Sequence, residues 1–528
     1  MKQSQNLSGK YISKMLWDVI VVGTGMGGAT AGYELARSGL KVLFCEQGYS
    51  TLYDGEGIKD VYPEEFIDTT KSESEQKEVL KCSGRYSEKI VIESGGKQQK
   101  FYPLIGEGTG GSSALYGMVL ERLRKEDFDT PLWPLKEKDW EPFYKKAEAL
   151  YQINQGKDWP PLTVANQELV NIFSSQGVNP YRLPMACSFD EDCKTCQNYL
   201  CKKECKKHAG NVALKDAIEK YGAELVTDCK VLKIEAQGRT AKKIYCSMGG
   251  QEISIKGKAI ILAAGALNTP AILLQSKSPG HPNGLCNSSG LVGKNLMRHY
   301  IDIYAIRTKN DPGRDEANKQ IGINDFLYDK EMKLGTVQSF GLLPPIEIIL
   351  NDIEEDVATV AGTLAAKLFR LFRPFVGVVI KKKLSQSVLM ASIMEDEGAE
   401  SNLVYPEKGE YPSCLHIHYK ISAQDKNRIQ KFRKTISNFL KSSGYSFMLL
   451  KQAENDKRLA HVCGTCRFGT NPESSVLDIW CKSHDIDNIF VVDSSFFPTS
   501  GSTNPALTIA ANAIRVAEYI VKHCKTTK

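Results

Sequence analysis

The stretch CKTCQNYLCKKECKKHAG, residues 193–210, places four cysteines within thirteen residues, and Cys187 lies just upstream. Cys193 and Cys196 stand as C-x-x-C, followed by Cys201 and Cys205. Thiolates at such short spacing can hold zinc or an iron–sulfur cluster, and free thiols are the alternative. Lys202, Lys203, Lys206 and Lys207 surround them, and positive charge lowers thiol pKa values and eases ligation. His416 and His418 lie two apart, as on one face of a strand, but positions in a core or on a surface are the plainer reading.

GTGMGG carries a different chemistry. Gly23, Gly25 and Gly28 form G-x-G-x-x-G between the apolar run DVIVVG and an amphipathic stretch, and Glu46 ends the next run, KVLFCEQG. In a strand–helix–strand unit such glycines let the backbone approach a pyrophosphate at a helix N-terminus, and the acid suits ribose hydroxyls. The motif predicts dinucleotide binding without choosing between NAD and FAD.

These groups need a large scaffold. A chain of 528 residues suggests two or three domains, and 42% hydrophobic with 25% charged residues is ordinary for a globular protein. A net charge of +6 with scattered lysines excludes a nucleic-acid reader. The polar start, MKQSQNLSGKYISK, runs into a strand without the pattern of a signal peptide, so a cytoplasmic setting is expected. With 15 cysteines, an odd number, in a reducing compartment, a disulfide framework is disfavoured. No uncharged apolar run reaches the roughly 18 residues that suggest a transmembrane helix. Val357 to Lys383 is apolar but broken by Lys367, Arg370, Arg373 and Pro374. It is read as a buried or lid helix ending at the proline, with contact to a membrane or partner as the sharper alternative.

Further strands are expected in AELVTDCKVLKI, KAIILAAGA and NIFVVDSSFFP. GEGTGGSSALYGMVLER is a second glycine-rich loop, with Gly108, Gly110, Gly111, Ser112 and Ser113. LAAGALNTPAILLQS places Ala264 and Gly265 before a helix. HVCGTCRFG begins at His461, and VVDSSFFPTSGSTNPALTIAANAIRVAEYI contains Asp493, Asn504 and Pro505.

Together with WPLKEKDWEPFYKKAE, VGKNLMRH and MEDEGAESNLV, these motifs resemble the glucose–methanol–choline (GMC) family of FAD-dependent oxidoreductases from about residue 17 to 521. The resemblance implies an α/β fold, with a Rossmann-type FAD domain interleaved with an α+β substrate domain on an antiparallel sheet. The expected division is 14–120, 206–300 and 456–528 for the FAD domain, the last with the catalytic loop. Residues 121–205, including the cysteine-rich connection, and 301–455 go to the substrate domain. The resemblance makes His461 the base that takes a proton from a substrate hydroxyl, and Asn504 its partner. The cofactor-binding set is Gly23, Gly25, Gly28, Glu46, Gly108, Gly110, Gly111, Ser112, Ser113, Ala264, Gly265, Asp493 and Pro505. Of eight histidines only His461 occupies a recognised slot, and none lies between Gly106 and Arg122, so FAD is expected to be non-covalent.

The cysteine region resembles that of bacterial membrane-linked sugar dehydrogenases of this family, which carry an iron–sulfur cluster. That implies Cys193, Cys196, Cys201 and Cys205 as ligands, with zinc or free thiols still open. The implied activity is oxidation of an alcohol to a carbonyl, with O2 or an electron-acceptor protein taking the electrons. The substrate expected is a sugar or amino-sugar hydroxyl, of the kind oxidised by the alcohol oxidases of aminoglycoside biosynthesis. Acidic clusters, Asp352 with Glu354, Glu355 and Asp356, and Glu395 with Asp396, Glu397 and Glu400, would favour a cation. A sugar dehydrogenase passing electrons through an iron–sulfur cluster to a protein or quinone acceptor, a sterol or long-chain alcohol oxidase, and a non-catalytic flavin-fold binding protein are the alternatives.

Overall fold

The computed structural model describes residues 9–524, except 54, 68–70, 95–96, 154–158, 191–192, 311–318, 331, 342–344, 408–413, 456–458 and 460. Leu16–Val22, apolar on both faces beyond Asp18, is an inner strand of a seven-stranded sheet. Val42–Cys45 and then Glu224–Val226 run parallel to it on one side. Gln251–Leu262 runs parallel on the other, with Ile20 opposite Ile260. The last three residues of Gln251–Leu262 also pair with Ile489–Val491, while its first half carries the antiparallel strands Thr240–Met248 and Cys229–Gln237. The parallel part is therefore assembled from the start, middle and end of the sequence.

AELVTDCKVLKI yields two strands rather than one. Asp228, with φ of +50°, separates a parallel piece from an antiparallel one. The helix Met26–Arg37 lies close to the sheet because Gly32 faces the Phe44 ring, where a Cβ would come within 2.2 Å. The helix Ala506–Cys524 packs on it and on Glu137–Leu150.

The second sheet has six antiparallel strands in the order Phe447–Lys451, Tyr300–Arg307, Ser387–Met394, Gly335–Ser339, Ile321–Ile323 and Tyr181–Arg182. The helices Val164–Ser175 and Ala423–Ser442 contribute buried residues to the core against it. The fold is thus a Rossmann-type α/β unit joined to an α+β unit on an antiparallel sheet. His416 and His418 lie on the strand Leu415–His418 of a smaller four-stranded sheet. His416 stacks on Tyr405 and His418 sits 4.0 Å from Glu93, so they do not converge on a metal.

The apolar segment departs from its expected form. It does not end at the proline. Gly362, with φ of +87°, separates the helix Ile346–Ala361 from the helix Thr363–Leu384, which continues through Pro374. Pro374 is exposed, so water can satisfy the carbonyl its missing N–H leaves unbonded. Much of the second helix is likewise exposed rather than buried.

Candidate functional site

A cavity of about 430 Å³ is lined by residues of both large sheets. Three helix N-termini border it. Gly25 caps Met26–Arg37, Ala264 caps Gly265–Gln275, and Pro505 precedes Ala506–Cys524. Their free N–H groups and positive dipole ends suit an anionic or electron-accepting ligand.

The glycine motif divides its work. A Cβ on Gly23, where φ is +95°, would meet the Ala263 carbonyl at 2.4 Å, and one on Gly28 would meet the Gly23 carbonyl at 2.1 Å. At Gly25 nothing lies within 4 Å of that position, so a phosphate has room to approach the backbone. A Cβ on Gly111 would sit 3.0 Å from Gly25 Cα, which shows how closely the second loop meets the first. Gly108 and Gly110, both left-handed, shape that loop, while Gly111, Ser112 and Ser113 line the cavity.

Glu46 also lines the cavity, and its carboxylate ties these loops together. Oε2 accepts from Thr24 N at 3.0 Å and Thr24 Oγ1 at 2.6 Å, and Oε1 from Gly48 N at 3.0 Å and Gly108 N at 3.1 Å. Asp493 plays a similar part at the second helix. Its Oδ2 accepts from Gly265 N at 2.9 Å and Thr269 Oγ1 at 2.5 Å, and burial still raises its pKa above the usual carboxylate value. Burial pushes Glu107 up to about 7, against the bonds it accepts from Ser87. An extended dinucleotide such as FAD fits this end, with an open glycine, helix N-termini and hydroxyl-bearing residues along one channel.

At the other end His461, with φ of +59°, lies beside a histidine that the sequence reading did not assign. His299 Nδ1 is 2.9 Å from His461 Nδ1, and His299 Nε2 is 2.9 Å from the Gly501 carbonyl. A carbonyl only accepts, so the proton of His299 is on Nε2. Burial lowers the pKa of His299 and keeps it neutral, which makes its Nδ1 an acceptor. His461 must then donate from Nδ1, which puts its acceptor lone pair on Nε2. His299 closes VGKNLMRH, one of the motifs already set out, and its place in that motif was the available signal.

Behind His299 the Gly501 N–H donates to Glu395 at 3.2 Å, and Lys333 Nζ lies 2.5 Å from Glu395 and 2.6 Å from Asp127. Burial alone would lower Lys333, but the two carboxylates hold it above the ordinary lysine value. Lys333 in turn brings Glu395 below its ordinary value despite burial. Asn504 Oδ1 accepts from Gln338 Nε2 at 2.9 Å, so its Nδ2 is the remaining donor. Gln338 is also held by buried Glu121 at 2.5 Å. Lys319 lines this end with its ammonium 5.3 Å from the Phe340 ring centroid. A Cβ on Gly117 would come within 2.5 Å of Nζ, and burial lowers this lysine to about 8.

Among the described residues, no side chain of either acidic cluster lines the cavity. Asp396 accepts from Tyr419 at 2.5 Å, and Glu397 and Glu400 pair with Arg428 and Lys294, each at 3.3 Å. Glu354 pairs with Arg370 and Arg373, and the side chains of Asp352, Glu355 and Asp356 lie outside the described residues.

The cysteine stretch borders the cavity through Gln197 and Asn198, and its thiols divide. Cys187 and Cys193 lie 3.8 Å apart. Among the described residues, the donors that gather within 4.8 Å of one another are Cys196, Cys201 and the Asp60 carboxylate. One zinc bound by all four expected sulfurs would bring them about 3.8 Å from each other, given tetrahedral Zn–S bonds of about 2.3 Å. A single-ion site is therefore drawn from two of the four expected cysteines with one carboxylate, and the spacing that excludes one zinc on all four sulfurs does not bear on a cluster, whose thiolates sit on different irons. Beside it, buried Lys206 donates to the carbonyls of Ala114 at 2.9 Å and Tyr199 at 3.0 Å. Hydrogen bonding with Cys196 draws Cys201 down to about 5. Cys463 and Cys466 are buried packing residues, and burial pushes both thiols far up.

Two family models, both described as GMC oxidoreductase, match residues 17–301 and 404–513. The chain is 25% identical to 6'''-hydroxyparomomycin C oxidase of Streptomyces lividus, over 96% of this chain and 92% of that protein. It is 24% identical to paromamine 6'-oxidase of Streptomyces fradiae, over 96% and 91%. The solved structure of pyridoxine 4-oxidase from Mesorbium loti superposes with a TM-score of 0.63 at 18% identity, covering 96% of this chain and 99% of that one.

Proposed function

Because this chain belongs to the GMC oxidoreductases, FAD-dependent enzymes that oxidise alcohols, we propose that His461 Nε2 is the base and Asn504 the hydrogen-bonding partner of the substrate oxygen. FAD would be held without a covalent bond along Gly25, Glu46, Ser112, Ser113, Gly265, Asp493 and Pro505, and would supply the acceptor for a hydride from the carbinol carbon. The single observation that carries the reading is the hydrogen-bonded pair of His299 and His461.

With Nδ1–H of His461 committed to His299, the lone pair on Nε2 takes the hydroxyl proton as the carbinol C–H bond breaks. The Asn504 amide donates to the same oxygen and fixes the carbon's orientation. Apolar walls from Ile301, Ile303, Ala391 and Ile393 keep water from the reacting centre. The alcohol loses a hydride and a proton and becomes a carbonyl.

Two relatives named as oxidases support O2 as the electron acceptor and a hydroxyl on a sugar-like substrate. The cavity favours a neutral or anionic member of that class over a cationic amino sugar. Lys319 and Lys451 line the substrate end, and its described residues include no carboxylate facing the cavity there. The test is rapid-mixing reduction of the flavin by a panel of neutral sugar alcohols, sugar acids and amino sugars. His461→Ala should retain bound flavin and lose most of the reduction rate. An undiminished rate would refute the assignment.

A further inference from the structure

The helix Thr363–Leu384 shows an apolar face to the outside. Leu364 is 73% exposed, Leu371 74% and Phe375 71%, and Leu368, Phe372, Val378 and Val379 are also exposed. These are seven of the fifteen exposed large hydrophobic residues found among the described ones, so the concentration is not the scatter of a normal surface. Positions 364, 368, 371, 375 and 378 recur at helical spacing and form one stripe. The opposite side meets the protein. Gly377 faces Leu350 of the neighbouring helix, and Arg373 bonds Asn351 at 2.7 Å. Ile380 and Leu384 pack near the strands of the antiparallel sheet.

The charges on the stripe's own helix are of one sign, while the acidic residues lie on the neighbouring helix Ile346–Ala361. Thr363–Leu384 contains Lys367, Arg370, Arg373, Lys381, Lys382 and Lys383 and no acidic residue. Glu354 engages the two arginines, while all four lysines are exposed. No helix among the described residues is long and apolar enough to cross a membrane. An apolar stripe with lysines beside it and clustered at one end, on a helix of 22 residues, has the form of a helix that lies in a bilayer interface.

We propose that this helix docks the enzyme on an anionic membrane surface, its apolar stripe entering the acyl boundary and Lys367 and Lys381–Lys383 meeting lipid phosphates. A bilayer fits better than a protein groove because the stripe's own helix carries lysines beside it and at its end and no acid. The hairpin is rooted near the cavity. Phe340, which lines the cavity, packs in the same cluster as Ile349 and Ile380. The inference is independent of the catalytic assignment.

The test is co-sedimentation of the FAD-loaded full chain with vesicles of phosphatidylcholine alone, or of phosphatidylcholine mixed with phosphatidylglycerol. The protein should pellet with the mixed vesicles and much less with the neutral ones. Leu371→Glu/Phe375→Glu should weaken partitioning by roughly a hundredfold, since each of the two side chains withdrawn from an apolar phase is worth about a factor of ten. Lys381→Glu/Lys382→Glu/Lys383→Glu should remove the preference for anionic lipid. Flavin content and melting temperature should stay unchanged in both variants, which separates docking from folding. Failure of the wild-type protein to pellet would overturn the proposal. So would a wild-type dimer that Leu371→Glu/Phe375→Glu converts to a monomer without vesicle binding, which would make the face a self-interface.

Discussion

His299 Nδ1 and His461 Nδ1 lie 2.9 Å apart with their rings nearly perpendicular, and the Gly501 carbonyl on the far side of His299 fixes which nitrogen carries each proton. The tautomer of the proposed base is therefore set by a backbone oxygen forty residues further along the chain.

His299 is thus a positioning residue, and replacing it should change the behaviour of His461 rather than abolish the site. His299→Ala should lower kcat by about ten- to a hundredfold, the range in which misoriented general bases fall. Flavin content should be retained, and the acid limb of the kcat/KM profile should shift. His299→Gln, whose amide can bond Gly501 or His461, should recover part of the loss. A pH profile superimposable on wild type would contradict this role.

Lys319, lowered by burial to about 8, should be charged below that pH and neutral above it. KM for an anionic or polyhydroxylated substrate should therefore rise as pH passes about 8, with kcat changing less. In Lys319→Met, KM should be raised at neutral pH and that alkaline limb should be gone. A limb that persists would assign the titration to another group.

His208 provides a pH test of stability. Burial depresses it to about 3, and Gly210 N donates to its Nδ1 at 3.1 Å, so the folded state holds it neutral. A depressed folded pKa means that the unfolded chain binds more protons as pH falls below the ordinary histidine value. Stability is then present at neutral pH and lost on acidification. This single site should remove about 2 kcal/mol between about pH 7 and pH 5. Urea denaturation of His208→Gln should show a shallower loss over that interval, and an equal slope in both proteins would exclude His208 as the cause.

The Asp60, Cys196 and Cys201 group is expected to hold a transition metal. Protein purified without oxygen should contain iron or zinc in fixed proportion to flavin, with sulfide accompanying iron. Cys196→Ser should bring the metal to background while FAD remains. Metal at background in the wild type, or unaffected by the substitution, would leave these side chains as an ordinary thiol cluster.

Much of the nucleotide end was legible because its chemistry is local. GTGMGG and Glu46 fall within one strand–helix–strand unit, and period and glycine spacing announce them. What Glu46 touches was not legible, since Gly108, which donates to it, is 62 residues away. The pairing of His299 with His461 spans 162 residues, and no spacing rule reaches that far. The cysteine run announced a donor set, yet Asp60 entered it from 136 residues upstream of Cys196. The apolar segment near Leu371 was plain in composition. Which side would meet solvent depended on packing against Leu350 and the antiparallel sheet, and sequence alone does not record that.

The buried Asp127–Lys333–Glu395 group bears one more negative than positive charge, and it stands behind the histidine pair with Gly501 between. In the proposed reaction, an imidazolium formed on His461 would be countered by this surplus through His299 and Gly501. On that reading the proton has a place to rest between the two halves of the cycle, held by a counterion at one remove from the base rather than by a carboxylate hydrogen-bonded to His299.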